Sequence, residues 1–294
     1  MNRFIVDLKT NKSELVNNFG GKAKSLNMLS ELNINIPNGV VITTDAFKYF
    51  LESNNIVTPT AFNIEAGKIP NDLSRDIVDA FVKHKFRKVA VRSSANLEDG
   101  ASDSFAGELE TYLSVDKTQL LDKIKLCWIS AFSNQVLSYL SSKKIKSDNF
   151  CISVLIQEMV IPEVAGVSFT VDPITKNENL LLIEAIYGLG ELLVSGKISP
   201  DKYLVNKSNL AIESVSVELQ KRKITYSSTN RKIPLQNHFR QKLDGHQIIE
   251  LTQLCKKIES FYKSPQDIEW ALVNRIFYIL QSRPITTLKD GDKS

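Results

Sequence analysis

Two short segments near the C-terminal end carry side chains whose types and spacing suit a metal ion beside phosphate. They are Asp267-Ile268-Glu269-Trp270 and Ile279-Leu280-Gln281-Ser282-Arg283-Pro284. A carboxylate and an amide oxygen are hard donors of the kind Mg2+ takes, and a guanidinium fork suits the adjoining phosphate oxygens. Gln281 and Arg283 are two residues apart, so in a regular strand they share a face. Pairing decides whether Glu269 joins them. With a two-residue turn at Asn274-Arg275 and no irregularity, Glu269 falls opposite Leu280 and Gln281 points to the other face. A three-residue loop over 274–276, or a β-bulge, puts Glu269 opposite Gln281. A shared metal site needs the second arrangement, and that is the expectation.

Four further segments bear on phosphate or nucleotide chemistry. Gly20-Gly21-Lys22 stands at the start of a helical pattern. Glycines let backbone approach an anion, a helix N-terminus favours negative charge, and lysine adds a point charge. The spacing is not that of a P-loop, and a glycine turn before a surface helix would read the same way. Val91-Arg92-Ser93-Ser94-Ala95 sends an arginine out of an apolar strand into a polar loop, Ser93 to Ser104, rich in small residues. That suits phosphate binding and closure over a ligand; a solvated surface loop would look alike. Gln157-Glu158-Met159-Val160 ends an apolar run, where backbone groups can meet an adenine edge and Met159 can pack on the ring. A plain strand end remains the alternative. Glu184 through Gly188, Gly190 and Glu191 place carboxylates around two glycines, as a ribose or phosphate rim would, but a lone Gly-x-Gly is common.

The elements that must position these residues follow from periodicity. Leu26, Leu29 and Leu32 mark a helix from Ala23 to Leu32. Pro37-Asn38-Gly39 is a turn before a strand, Val40 to Thr43, and Thr44 or Asp45 can cap the next helix. Val89 to Arg92 reads as a strand, and Gln119 to Tyr139 as a helix. Asn149 to Val160 is β-branched and reads as a central strand, with further strands at 166–171, 179–186 and 202–206. Residues 207–243 are polar and poorly patterned, as a lobe boundary or flap would be. Asp244 caps an amphipathic helix with Ile248, Ile249, Leu251, Leu254, Cys255, Ile258 and Phe261 on one face. Strands at 266–273 and 276–282 follow, and the charged tail reads as frayed.

Composition narrows the class. The 294 residues are 43% hydrophobic and 24% charged, the proportions of a soluble globular chain. A net charge of +4 without a basic stripe interleaved with aromatics gives no nucleic-acid signature. No signal peptide is recognisable at the N-terminus, and no apolar run approaches the roughly 18 residues of a membrane span. Cys127, Cys151 and Cys255 are far apart and sit in apolar patterns, so they read as reduced core residues. His84, His238 and His246 have no ligand partners at metal spacing. The expectation is a cytoplasmic protein.

In order along the chain, these segments resemble one family. The set runs from Gly20-Gly21-Lys22 through Pro37 to Thr44, Val91 to Ala95 and Ser104-Phe105-Ala106-Gly107. It continues with Gln157 to Val160, Gly166 to Pro173, Glu184 to Gly190 and Ser199-Pro200-Asp201, and ends with Asp267 to Trp270 and Gln281 to Pro284. It is similar to the N-terminal ATP-binding domain of phosphoenolpyruvate synthase, pyruvate phosphate dikinase and rifampin phosphotransferase. The resemblance covers about Leu15 to Thr286. It departs from the usual pattern at Glu108, where a Gln is common, and at Ser114, where an Asn is common.

The resemblance implies an α+β, ATP-grasp fold in two lobes with mixed β-sheets and flanking helices. The expected lobes are 1–200 and 201–287, the second carrying the metal and phosphate hairpin, with a tail over 288–294. ATP would be clamped between the lobes. Lys22, Arg92 and Arg283 would act on the phosphates, Glu269 and Gln281 would hold Mg2+, and Gln157, Glu158, Met159 and Val160 would lie at adenine. Glu184 and Glu191 would lie near the ribose or phosphates. Family members cleave ATP to AMP and inorganic phosphate and pass the β-phosphate to a histidine on a separate domain. No histidine of this chain lies in a segment like the family's Ser/Thr-x-His-Ala motif. The expected partner is therefore a phosphohistidine carrier domain or companion chain. Two alternatives stay open. One is a direct kinase of a small-molecule hydroxyl, with an acceptor pocket under 207–243. The other is a nucleotide-binding regulator without turnover.

Overall fold

A computed structural model describes residues 3–96, 99–100, 103–104, 109–142, 150–225 and 230–285. Ser104-Phe105-Ala106-Gly107, Glu98, Glu108, Ser227 to Thr229 and the tail fall wholly or partly outside these residues. The chain divides into two compact units. The first comprises residues 1–31 and 37–159, and the second 32–36 and 160–294. The division falls after Met159 rather than at the expected residue 200. The cause is pairing: the strands between 160 and 200 hydrogen-bond to later strands of the second unit. The 207–243 segment accordingly lies inside one unit and is not a boundary.

The first unit opens with β1 (Ile5–Asp7), α1 (Ser13–Val16), α2 (Gly21–Glu31), β2 (Gly39–Ile42) and α3 (Thr44–Ser53). It continues with α4 (Ala61–Ala66), α5 (Asn71–Lys83), β3 (Val89–Ala95) and the two-residue strands β4 (Asp99–Gly100) and β5 (Asp103–Ser104). It closes with β6 (Thr111–Val115), α6 (Leu120–Ser130), α7 (Asn134–Ser142) and β7 (Ile152–Glu158). Five strands form a sheet in the order β1-β2-β7-β3-β6, with β7 at its centre as its apolar run requires. Phe47, Phe50, Trp128 and Phe132 pack ring against ring beside this sheet, with centroids 5.0 to 6.2 Å apart. Thr43, not Thr44 or Asp45, caps α3, its hydroxyl accepting the Ala46 N–H. The expected single helix over 119–139 is broken into α6 and α7. β3 runs on through Ser93 and Ser94, all seven residues buried, so these serines belong to the sheet rather than to a loop.

The second unit contains β8 (Val164–Phe169), β9 (Leu180–Tyr187), α8 (Glu191–Val194), β10 (Asp201–Asn206) and β11 (Ile212–Ser216). After them come β12 (Arg222–Ile224), β13 (Asn230–Lys232), a 3-10 turn (Leu235–Asn237), α9 (Gly245–Tyr262), β14 (Gln266–Val273) and β15 (Ile276–Pro284). The six-stranded sheet has the order β11-β10-β9-β8-β14-β15. α9 starts at a full capping box between Asp244 and Gln247. Its Ile248, Leu251, Cys255 and Ile258 are buried, while Phe261 is exposed.

The fold is α+β. The expected mixed sheets are not found among the described residues: every strand pair in both large sheets is antiparallel. In the second unit, the chain-adjacent strands β8 and β9, β9 and β10, and β14 and β15 pair with one another, an antiparallel arrangement that needs no crossover. No helix is long and apolar enough to cross a membrane among these residues.

Candidate nucleotide and metal site

In the first unit the glycine-lysine segment and the arginine strand meet. The Gly20 N–H donates to Ser153 Oγ at 2.8 Å, and that hydroxyl donates to the Ser94 carbonyl at 3.0 Å. The Ala23 N–H donates to Ser94 Oγ at 3.2 Å, and Lys22 Nζ donates to the Ser93 carbonyl at 3.2 Å. The first turn of α2 is thus held against β3 and β7 by serines. A Cβ on Gly20 would stand 1.8 Å from the Ser94 carbonyl oxygen, so only glycine permits the approach. Arg92 sits one residue before this junction, between Leu155 of β7 and Thr111 of β6, and is 7% exposed; Lys22 is 6% exposed. Two cations and a helix N-terminus are gathered in one region, an arrangement that favours anions.

The 157–160 segment is only partly as expected. Gln157 is buried in β7 between Gly39 and Ala90. The Glu158 N–H donates to the Asn38 carbonyl at 2.7 Å and the Met159 N–H to the Lys88 carbonyl at 3.1 Å. Those two donors are committed within the unit, so an adenine edge would have to be met by other groups of the segment. The Glu158 carboxylate accepts from Asn38 at 3.1 Å. Val160 begins the second unit's span.

In the second unit, pairing aligns a row of side chains across five strands, β10, β9, β8, β14 and β15. Lys202 lies opposite Glu184, Glu184 opposite Val167, Val167 opposite Glu269, and Glu269 opposite Gln281. Directly opposed residues share a face, so this face of the sheet carries Lys202, Glu184, Glu269 and Gln281 together. Asp267 and Arg283 are opposed one step along. The Arg283 Nε and Nη2 atoms both donate to Asp267 Oδ2, at 2.9 and 2.8 Å. Burial raises the Asp267 carboxyl above its ordinary value; Arg283 opposes that shift and Glu269 adds to it. Lys202 Nζ lies 3.4 Å from Glu184 Oε1.

The register is set by a bulge. The turn at Asn274-Arg275 has two residues, both with positive φ (49° and 65°), and Val273 pairs with Ile276. The ladder then shifts between Trp270, opposite Ile279, and Glu269, opposite Gln281, leaving Leu280 as the extra residue. Strict alternation would put Phe277, Ile279, Gln281 and Arg283 on one face. The bulge leaves Phe277 and Ile279 with Leu272 and Trp270 in the core and turns Gln281 and Arg283 to the polar face. Glu269 therefore does face Gln281, through the bulge and not through a longer loop.

Residues 16–294 match the family described as the pyruvate phosphate dikinase AMP/ATP-binding domain. The chain belongs to that family. It is similar to an uncharacterized phosphotransferase of Bacillus subtilis, 35% identical over 93% of this chain and 34% of that protein. It is also similar to the rifampicin phosphotransferase of Bacillus cereus, 35% identical over 98% of this chain and 36% of that one. A probable phosphoenolpyruvate synthase of Methanocaldococcus jannaschii is 32% identical over 99% of this chain and 27% of that one. The chain spans about a third of the length of these relatives.

Within this AMP/ATP-binding domain the structure brings Lys22 to the Arg92 strand in one unit, and Glu184, Glu269, Gln281 and Arg283 to one sheet face in the other. Glu191 is exposed on α8, beyond the glycine turn, and is not part of that row. Glu184 is two strands from Glu269, roughly 10 Å by strand spacing, with Val167 between them. Lys202, Asp267, Ser94 and Ser153 were not singled out from sequence, because their roles depend on cross-strand partners more than ten positions away in the chain. Ser114, where an Asn is common in the family, has φ 58°, a left-handed conformation that Asn tolerates well. The histidines have local partners: His84 lies 2.7 Å from Asp7, His238 2.9 Å from the Ile233 carbonyl, and exposed His246 3.9 Å from Glu250.

Proposed function

We propose that the chain is an ATP- and Mg2+-dependent phosphotransferase module that passes a phosphoryl group from ATP to a histidine on a separate domain or chain. The observation that carries this is the polar row: a carboxylate and an amide oxygen face each other beside an arginine held by an aspartate. The donors fit Mg2+, because Glu269 and Gln281 offer hard oxygens from directly opposed positions, leaving other coordination sites for water and phosphate. When bound, that ion would neutralise phosphate charge as bonds to phosphorus break and form. Lys22, Arg92 and Arg283 add fixed positive charge for the phosphates, Arg283 already aimed by Asp267. No side-chain nucleophile is required, since phosphoryl transfer rests chiefly on positioning and electrostatics.

The reading takes ATP to AMP and inorganic phosphate, with water consumed and the β-phosphoryl placed on imidazole nitrogen. The relatives are about three times as long as this chain, which leaves room in such proteins for a carrier domain. The test uses ATP radiolabelled at the β-phosphate, Mg2+, the folded chain and the histidine-carrying domain of one relative. Label on the carrier that is acid-labile, together with AMP, is the expected result. ATP binding without label transfer would overturn the histidine step, and no ATP binding would overturn the nucleotide reading. A second reading, direct phosphorylation of a small hydroxyl compound, is favoured by the likeness to a rifampicin phosphotransferase; ATP cleavage that requires only an added hydroxyl compound would support it.

A further inference from the structure

The second unit holds a cavity of about 670 Å³ that the nucleotide reading does not use. Its sheet wall is formed by Val164, Tyr187 and Leu272, which lie in one cross-strand row. Leu272 is two residues from Trp270 and on the face that packs the core, so this wall is the opposite face of the sheet from Glu269 and Gln281. The 207–243 segment covers the cavity, as a direct acceptor pocket would require. The sheet, however, stands between it and the polar row, so an occupant could not meet a phosphate held there.

The cavity has a cationic corner and an apolar wall. Lys223 and Arg240 both border Tyr187 or its neighbour. Arg240 acts on the Tyr187 phenol as a nearby positive charge, and a Cβ at Gly188 would stand 3.0 Å from Lys223 Cβ. Buried Lys242 lies 5.6 Å above the Tyr187 ring, but its charge is spent on Asp201 at 2.6 Å. The acidic residues on the lining have internal work. Glu163 accepts the Asn274 N–H at 3.0 Å, and Asp244 accepts the Gln247 N–H at 2.9 Å. Among the described residues, neither Lys223 nor Arg240 has an acidic partner. Leu243 and Leu272, both buried, supply the apolar side. The size is that of a small-molecule site.

We infer that this cavity is a second ligand site, separate from the nucleotide residues, for a small organic oxyanion whose charged group meets Arg240 and Lys223 while a flat apolar body lies on Tyr187. Carboxylates and phosphate esters share that chemistry.

The probe is anilinonaphthalene sulfonate, a flat aromatic oxyanion, titrated by fluorescence into the full chain, with neutral phenylnaphthylamine as its uncharged counterpart. One saturable site is expected. The double variant Arg240→Ala/Lys223→Ala should weaken it by about tenfold or more, the order expected for losing charge-assisted hydrogen bonds. Asn237→Asp, which adds a negative charge to the lining, should also weaken it without removing any side chain from the core. Phenylnaphthylamine should be unaffected by either change. Unchanged sulfonate affinity in both variants would overturn the inference. So would equal losses for the neutral probe, or a loss on Arg92→Ala, which would place the probe at the nucleotide residues.

Discussion

Glu269 and Gln281 face each other because of one extra residue, and the consequence can be measured at the side chains themselves. Glu269→Gln keeps size and hydrogen bonding but removes the charge that would hold a divalent ion. Turnover with ATP should fall by about 100-fold or more, the scale seen when one preorganised electrostatic group is lost. Far-UV circular dichroism should stay unchanged. Equal turnover with and without the substitution would remove Glu269 from the chemistry. Asp267 gives a pH-dependent counterpart. Its folded-state value is raised, so it takes up a proton at a higher pH than an unfolded aspartate, whose ordinary value is 3.8. A raised carboxyl contributes unfavourably to stability above its folded value, and that penalty is relieved as pH falls through it. Function runs the other way: protonation loosens Asp267 from Arg283, so ATP affinity should weaken as pH falls, beginning above the ordinary aspartate range. Asp267→Asn should bind ATP weakly at every pH and lose this acid limb. A variant with an unchanged acid limb would mean another group controls it. Sequence alone brought out Glu269, Gln281 and Arg283, because metal and phosphate chemistry limits residue type. It did not bring out Asp267 or Lys202, whose partners become neighbours only across the sheet.

At the scale of the element, the first turn of α2 is fixed by packing as much as by helix propensity. Gly20→Ala would drive a Cβ into the Ser94 carbonyl at 1.8 Å. Either β3 or the start of α2 must shift, at a cost of about 1–3 kcal/mol, typical of overpacking. Ser153→Ala leaves the Gly20 N–H without its acceptor and should cost about 1–3 kcal/mol as well. Chemical denaturation measures both. A denaturant midpoint unchanged in both variants would show that α2 is not held this way. The helix itself was legible from Leu26 and Leu29, and its glycine start from the Gly20-Gly21 pair. The serines that hold it were not, because small polar residues in a strand read as loop. β3 continues through Ser93 and Ser94 since their hydroxyls are satisfied by backbone, Ser93 by the Glu110 carbonyl beside β6 and Ser94 by the Ala23 N–H of α2, an option visible only once those segments are alongside. The bulge in β15 follows the same logic. Its need was legible from the register: a two-residue turn at Asn274-Arg275 with no irregularity sets Glu269 opposite Leu280 and turns Gln281 away. Its position depended on the two-residue turn closing tightly at Asn274-Arg275.

Over the whole molecule, each unit keeps its own buried core, and the cysteines report on both. Cys127 lies in the first unit's core and Cys255 in the second's, both fully buried, whereas Cys151 at the edge of β7 is half-exposed. All three read as core from sequence, since apolar neighbours surround each; the exposure of Cys151 comes from its place just before β7 enters the sheet. Burial pushes the Cys127 thiol up, and it pushes the Cys255 thiol up to about 12. A thiol reacts as its thiolate. In the native chain at about pH 8, therefore, one thiol should react promptly with a disulfide reagent. The other two should react only as their own unit opens. Reaction in rising denaturant then follows the units separately: loss of protection at Cys127 tracks the first and at Cys255 the second. Asp201→Ala supplies the discriminating case. It strands the buried Lys242 charge in the second unit, a change that typically costs about 3–5 kcal/mol. Cys255 should lose protection at lower denaturant in that variant while Cys127 keeps its wild-type midpoint, if the two units open independently. A shift of both midpoints together would show that they unfold as one cooperative body. A shift of neither would show that the Asp201–Lys242 pair does not hold the second unit's core.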